Sequence, residues 1–141
     1  ILIFPFCSKK HKKKKWPYYK DLVKKLKENY KNKYPILIAP GPGEVKEANL
    51  LNAKVVLDNN EPINLNYLIS LINQSKLIVS NDTGPAHICS HLNKKALILF
   101  GSHTTPKKVS IENLNCKAVK TQELKDLSVD KVLAEINKIL N

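Results

Sequence analysis

The stretch Leu77-Ile78-Val79-Ser80-Asn81-Asp82-Thr83-Gly84-Pro85-Ala86-His87 decides how this chain folds. Leu77 to Ser80 is a short apolar run of the kind that forms a strand buried on both faces. Asn81-Asp82-Thr83-Gly84 breaks it, and Pro85, with its fixed φ and missing N–H, opens a helix predicted to reach about Leu92. Strand, tight loop and helix in that order are half of a βαβ unit. The start of such a helix offers unpaired N–H groups and a partial positive charge, which together suit a phosphate. Thr83 adds a hydroxyl donor, and Gly84 allows close approach to the backbone. The same residues also read as a plain helix cap, with Thr83 or Asp82 accepting backbone N–H bonds.

Working outward, the same alternation recurs. Downstream, Ala96 to Phe100 is a strand stopped by Gly101, residues 102 to 115 are loop-like, and Cys116 to Val119 is a further strand. Ser128 caps a last helix whose apolar stripe is Val129, Val132, Leu133, Ile136, Ile139 and Leu140. Upstream, Ile1 to Phe6 is a continuous apolar strand and Ser8 to Lys15 a lysine loop. Pro17 suits a first helical turn, followed at helical spacing by Tyr19, Leu22, Val23, Leu26 and Tyr30. Ile36 to Ala39 and Lys54 to Leu57 read as strands, and Glu44 to Asn52 as a helix with Ala48 and Leu51 on one face. Leu65, Leu68, Ile69 and Ile72 mark one more helix. Alternating strands and helices predict an α/β fold with a doubly wound parallel sheet covered on both faces. Ligands bind such sheets at the carboxyl ends of the strands. That singles out loops 7 to 16, 40 to 44, 58 to 64, 81 to 86 and 101 to 108.

Composition agrees with a globular domain: 141 residues, 43% hydrophobic and 26% charged. No apolar run reaches the ~18 residues of a membrane span, and Ile1 to Phe6 is too short for a signal-peptide core. The three cysteines contain no CxxC pair, so neither a zinc ribbon nor a disulfide framework is indicated, and a reducing compartment fits. Charge is uneven. Residues 1 to 34 carry twelve lysines against Asp21 and Glu28, whereas the rest of the chain holds twelve lysines against ten acids. The run Lys9, Lys10, Lys12, Lys13, Lys14, Lys15 suits a polyanion or a solvated loop. Nucleic acid is disfavoured, because the chain has no arginine to fork onto bases and few interleaved aromatics. Trp16 reads as a packing anchor. The chain has no methionine and Ile1 already lies in a strand-like run, so a piece of a longer protein is expected.

Other motifs are incomplete. Pro40-Gly41-Pro42-Gly43-Glu44 has the first spacing of a dinucleotide loop, but Lys46 stands where the third glycine belongs, so NAD is not supported. Glu44 fits either a ribose-binding carboxylate or an acid favoured at a helix start. His87 and His91 are four apart around Cys89, yet no third ligand shares the segment, so one histidine packed beneath the loop is expected in place of a metal pair. There is no P-loop, no GxSxG, no paired catalytic carboxylates and no metal-binding DxD. No resident cofactor or metal is expected.

Taken together, Lys14-Lys15-Trp16-Pro17, Gly41-Pro42-Gly43-Glu44, Asn81-Asp82-Thr83-Gly84-Pro85-Ala86-His87, Leu99-Phe100-Gly101 and the closing Leu127-Ser128-Val129-Asp130-Lys131-Val132-Leu133 resemble glycosyltransferase family 9. That family comprises bacterial heptosyltransferases of lipopolysaccharide core synthesis. The resemblance implies two Rossmann-like halves facing a cleft, the GT-B arrangement, of which residues 1–141 match the C-terminal, nucleotide-sugar-binding half. The acceptor site and catalytic aspartate would lie in the other half. It further implies that Lys14 neutralises the donor diphosphate, Thr83 and Gly84 hold phosphate oxygens, and Asp82 bonds sugar hydroxyls. Glu44 would hold the ribose, Ser8 would contact phosphate, Ile63 would flank the adenine, and His87 would support the loop. The implied partners are an ADP-heptose-type donor and a lipid-linked saccharide acceptor, the latter through the other half. The implied location is cytoplasmic, with peripheral contact at the inner face of the cytoplasmic membrane. The competing reading is a lysine-rich polyanion-binding module, for RNA or anionic membrane, without catalysis. A sugar-nucleotide epimerase or dehydrogenase would need the complete glycine fingerprint.

Overall fold

A computed structural model describes residues 1–31 and 33–140. Six parallel strands form one sheet in the order β3-β2-β1-β6-β7-β8: β1 Leu2–Phe4, β2 Leu37–Ile38, β3 Lys54–Val55, β6 Ile78–Asn81, β7 Ala96–Phe100 and β8 Cys116–Lys120. The chain starts in the middle, winds outward through β2 and β3, then returns to the other side of β1 and winds outward again. The reversal lies between β1 and β6, where Leu2 faces Ile78 and Phe4 faces Ser80.

Both faces are covered, which is why β1 and β7 are apolar throughout and β6 is apolar until Ser80 and Asn81 at its carboxyl end. Ile1, Ile3, Val79, Leu97 and Leu99 point to one side, against α1 (Tyr19–Tyr30) and α5 (Val129–Leu140). Leu2, Phe4, Ile78, Ile98 and Phe100 point to the other, against α3 (Leu65–Gln74) and α4 (Gly84–His91). In α1 the helical spacing buries Tyr19, Leu22, Val23 and Leu26, each contributing roughly 1.5–3 kcal/mol of apolar burial. Truncating fully buried Leu22 to Ala should cost about 2–5 kcal/mol. Pro17 lies just outside α1, whose backbone cap is Tyr18. Lys31, at φ 47, turns the chain out of the helix. Ser128 Oγ accepts the Lys131 N–H at 3.3 Å at the start of α5, as its cap reading requires.

Several sequence expectations are corrected in detail. The lysine loop is a pair of 3-10 turns, Lys9–Lys14, kinked at His11. The predicted helix from Glu44 to Asn52 is one α turn, α2 (Val45–Ala48), tightening into a 3-10 turn, Asn49–Leu51. The strand expected to run to Leu57 leaves the sheet after Val55, because Leu57–Asp58 (β4) instead pairs antiparallel with Glu61–Pro62 (β5). Asn59 and Asn60 make that hairpin turn at φ 48 and φ 68, the left-handed region asparagine tolerates. Among the described residues, no helix is long and apolar enough to cross a membrane.

Candidate functional site

The loops after β1, β2, β6 and β7 meet at the carboxyl end of the sheet, over the point where its winding reverses. Asn81, the last residue of β6, is fully buried, so its amide must find partners inside. Its Oδ1 accepts the Trp16 N–H and the Tyr19 hydroxyl, both at 3.2 Å, and its Nδ2 donates to the Pro5 carbonyl at 3.0 Å. Trp16 is equally buried and donates its indole N–H to the Leu127 carbonyl at 2.8 Å. The packing-anchor reading of Trp16 holds. Asn81 thereby fixes both ends of the segment that carries the lysines.

Asp82 follows and is 2% exposed. Its Oδ2 accepts from Lys14 Nζ at 2.9 Å and from His103 Nε2 at 3.0 Å, and His87 Nε2 stands 3.6 Å from its Oδ1. Lys14 Nζ also reaches the Asp82 carbonyl, at 3.3 Å. Burial alone pushes the Asp82 carboxyl up, but the Lys14 and His103 contacts outweigh it and hold the group below its ordinary value. A carboxylate acceptor places the His103 proton on Nε2. The ring lies stacked on Phe100, and its Nδ1 is buried without a hydrogen-bond partner. This cluster is a buried anion holding one lysine and one histidine at the mouth of α4.

No side chain caps α4. Thr83 is extended, and its hydroxyl contacts Asn81 O at 3.4 Å in place of any α4 N–H. The plain-cap reading of Thr83 and Asp82 is therefore not what the loop does. A Cβ at Gly84 would enter open space, so no protein contact demands glycine there.

Beside this cluster lies a cleft of about 450 Å³, walled by segments after β1, β2 and β5 and by the start of α4. It gathers Ser8, Glu44, Ile63 and Thr83 of the residues singled out in the sequence, with Phe4, Phe6 and Pro40 among its apolar walls. Lys14 and Asp82 do not line it; they stand behind Thr83. Glu44 is partly committed: its Oε2 accepts the Gly41 N–H at 2.7 Å, which closes the turn. Asp82, expected to bond sugar hydroxyls, has Oδ2 in contact with Lys14 and His103, while its Oδ1 has His87 Nε2 at 3.6 Å. His87 is partly exposed on the rim, so it is the Asp82 neighbour most open to solvent, while Cys89 faces the core. Among the described residues no group of three His, Cys, Asp or Glu side chains could hold a metal ion.

His103 and Asn81 were not assigned roles in the sequence reading. A buried-strand end occupied by Asn carried a usable signal, since the large majority of buried side-chain polar atoms are hydrogen-bonded. His103 carried none, lying in a segment without periodicity.

Fold and loops together define a doubly wound α/β domain with a cationic helix-start site at its switch point. Within that class the chain belongs to glycosyltransferase family 9 (heptosyltransferase), whose family model matches residues 1–136. Its fold is similar to that of E. coli ADP-heptose LPS heptosyltransferase II, at 22% identity and a TM-score of 0.81, over 99% of this chain and 45% of that one. It is also similar to E. coli heptosyltransferase WaaC with ADP, at 21% identity and a TM-score of 0.84, over 98% and 43%. The WaaC structure with ADP-2-deoxy-2-fluoro heptose matches at 19% identity and a TM-score of 0.81, over 97% and 42%. The chain thus spans less than half the length of the solved structures it matches. No curated protein sequence matches it significantly.

Proposed function

We propose that residues 1–141 are a single nucleotide-sugar-binding domain, the donor half of an inverting, metal-independent glycosyltransferase of GT-B architecture. The donor is an ADP-linked heptose, and the pathway is lipopolysaccharide core synthesis. The observation that carries this reading is the Lys14 ammonium, held by Asp82 at the uncapped start of α4 and beside the cleft. The ADP and ADP-2-deoxy-2-fluoro heptose bound to similarly folded WaaC support the choice of nucleotide.

The chemistry follows from charge. When the bond from the sugar to the diphosphate breaks, its electron pair leaves with the diphosphate oxygen and positive charge grows on the sugar ring. Lys14 and the backbone N–H of Gly84, the one N–H of the first turn not bonded back to the Thr83 carbonyl, stand against that leaving charge as it develops. Asp82 keeps Lys14 oriented. Ser8 and Gly84 extend the phosphate contacts, the free oxygen of Glu44 takes ribose hydroxyls, and Ile63 flanks the adenine. Inversion requires attack from the opposite face by an acceptor hydroxyl that loses its proton to a base. That base, and the lipid-linked saccharide it serves, belong to the other half. The exposed lysines of the 3-10 turns add peripheral contact with an anionic membrane on the cytoplasmic side.

Isothermal titration with ADP tests the site. Lys14→Ala should lose about 1.5–3 kcal/mol, a charged hydrogen bond's worth, and Thr83→Ala about 0.5–1.5 kcal/mol. Equal affinity in the wild-type chain and both variants refutes the assignment.

A further inference from the structure

A second cleft, of about 290 Å³, opens between the 3-10 turns and the segments after β7 and β8. It shares no lining residue with the larger cleft. Its chemistry is also different. Lys12 and Lys13 stand at its rim, and among the described residues neither ammonium has an ion-pair partner, whereas Lys15 is paired with Glu47 and Lys125 with Glu123. The one carboxylate in the wall, Glu123, bonds Lys125 at 2.6 Å and also lies within electrostatic reach of Lys13. Ser102 and Gln122 add neutral donors, and His103 forms part of the wall. A Cβ built on Gly101 would lie 3.5 Å from His103 Nδ1, the ring nitrogen that is buried without a hydrogen-bond partner.

From this arrangement we infer that the second cleft is a binding site for a phosphomonoester group, carried on a soluble sugar or on a lipid. Two unpaired ammonium groups match a terminal phosphate, which carries roughly −1.5 to −2 charge at neutral pH. Lysine binds phosphate as a point charge, which suits a three-oxygen group with no preferred plane. The volume is near the lower end of small-molecule sites, about 300 Å³, enough for a headgroup and part of a sugar ring. The site is separate from the nucleotide cleft, yet His103 joins them, because it bonds Asp82 on one side and walls this cleft on the other.

Calorimetric titration of the 141-residue chain with glucose 6-phosphate, with glucose, and with phosphatidylcholine vesicles with or without phosphatidic acid tests the inference. Glucose 6-phosphate should bind and glucose should not, and saturating ADP should leave that binding in place. Lys12→Gln with Lys13→Gln should weaken it by about tenfold or more. Lys9→Gln with Lys10→Gln removes the same charge from the same turns outside the cleft, and should cost no more than about twofold through screened long-range attraction. A selective response of phosphatidic-acid vesicles to the first pair of changes assigns the phosphate to a lipid; a response to the sugar phosphate alone assigns it to a soluble ligand. Absence of binding by both phosphomonoesters, equal losses of glucose 6-phosphate affinity in the two double variants, or displacement by ADP overturns the inference. Failure of ADP to bind at all would refute the donor site and leave this one standing.

Discussion

Asn81→Asp changes one atom in the centre of the site and should behave differently above and below the carboxyl range. The two bonds accepted by Oδ1, from Trp16 and Tyr19, survive the change. The third does not: where Nδ2 donated to the Pro5 carbonyl at 3.0 Å, two oxygens now face each other. The new carboxylate is fully buried and adjoins the Asp82 carboxylate in sequence, so desolvation and like charge both raise its pKa. A rise of about 3 units, ordinary for a buried carboxyl, corresponds to about 4 kcal/mol at 1.36 kcal/mol per unit. That is a large share of the roughly 5–15 kcal/mol that holds a domain folded. Because the folded pKa lies above the unfolded one, the penalty is absent below the unfolded value of about 3.9. It grows as pH rises towards the folded pKa and is constant above it. Below that range the protonated oxygen donates to Pro5 and restores all three bonds. Urea unfolding of both proteins should show a stability difference of about 4 kcal/mol near neutrality and under about 1 kcal/mol near pH ~4. The same difference at both pH values would refute the hydrogen-bond accounting at Asn81.

Replacing Lys9, Lys10, Lys12 and Lys13 by Gln should weaken binding to phosphatidylglycerol vesicles by about 1 kcal/mol per lysine at low salt, and the effect should fade as salt rises. Co-sedimentation measures it; unchanged binding would leave the turns as merely solvated. Cys7 lines the nucleotide cleft with its thiol pushed up by burial, while Cys89 is pushed up to about 12 and Cys116 to about 11. Iodoacetamide labelling followed by mass spectrometry should therefore find slow reaction at Cys7 first, slowed further by ADP; indifference to ADP would count against the cleft as its site. If the base for the acceptor hydroxyl belongs to the other half, as proposed, the purified chain should transfer no sugar from ADP-heptose to a lipid acceptor; turnover would overturn the division of roles between two halves.

The central architecture was readable because burial on both faces leaves a plain mark. Leu77 to Val79 and Ala96 to Phe100 are apolar at successive positions, as a strand between two helical layers requires. The amphipathic helices α1, α3 and α5 announced themselves by spacing in the same way. The strands on the β2–β3 side of the sheet were overestimated, since β2 and β3 have only two residues each in the ladder and residues beyond them belong to turns. The β4–β5 hairpin was missed because Pro62 argues against a strand, and Asn59-Asn60 is a weaker turn signal than Asn-Gly. At the site, the motif reading selected residues that do converge: Ser8, Glu44, Ile63 and Thr83 around one cleft, and Lys14 with Asp82 beside it. It did not foresee that Asp82 would be sealed beneath Lys14 and His103. Nothing local in the sequence ties position 103 to position 82; only the parallel pairing of β6 with β7 brings their following loops side by side.

Trp16 gives the site an optical handle. It is the chain's single tryptophan, wholly excluded from water and flanked edge-on by Tyr18 and Tyr19 at 5.8 and 5.1 Å. Its emission should be blue-shifted and fed by energy transfer from those two phenols. Its backbone N–H rests on Asn81, one residue from the carboxylate that holds Lys14, and its ring nitrogen rests on the segment leading into α5. Loosening of the lysine turns, or withdrawal of Lys14 from Asp82 towards a ligand, changes the field across the indole. The chain therefore carries its own fluorescent reporter at the switch point, with no second tryptophan to obscure it.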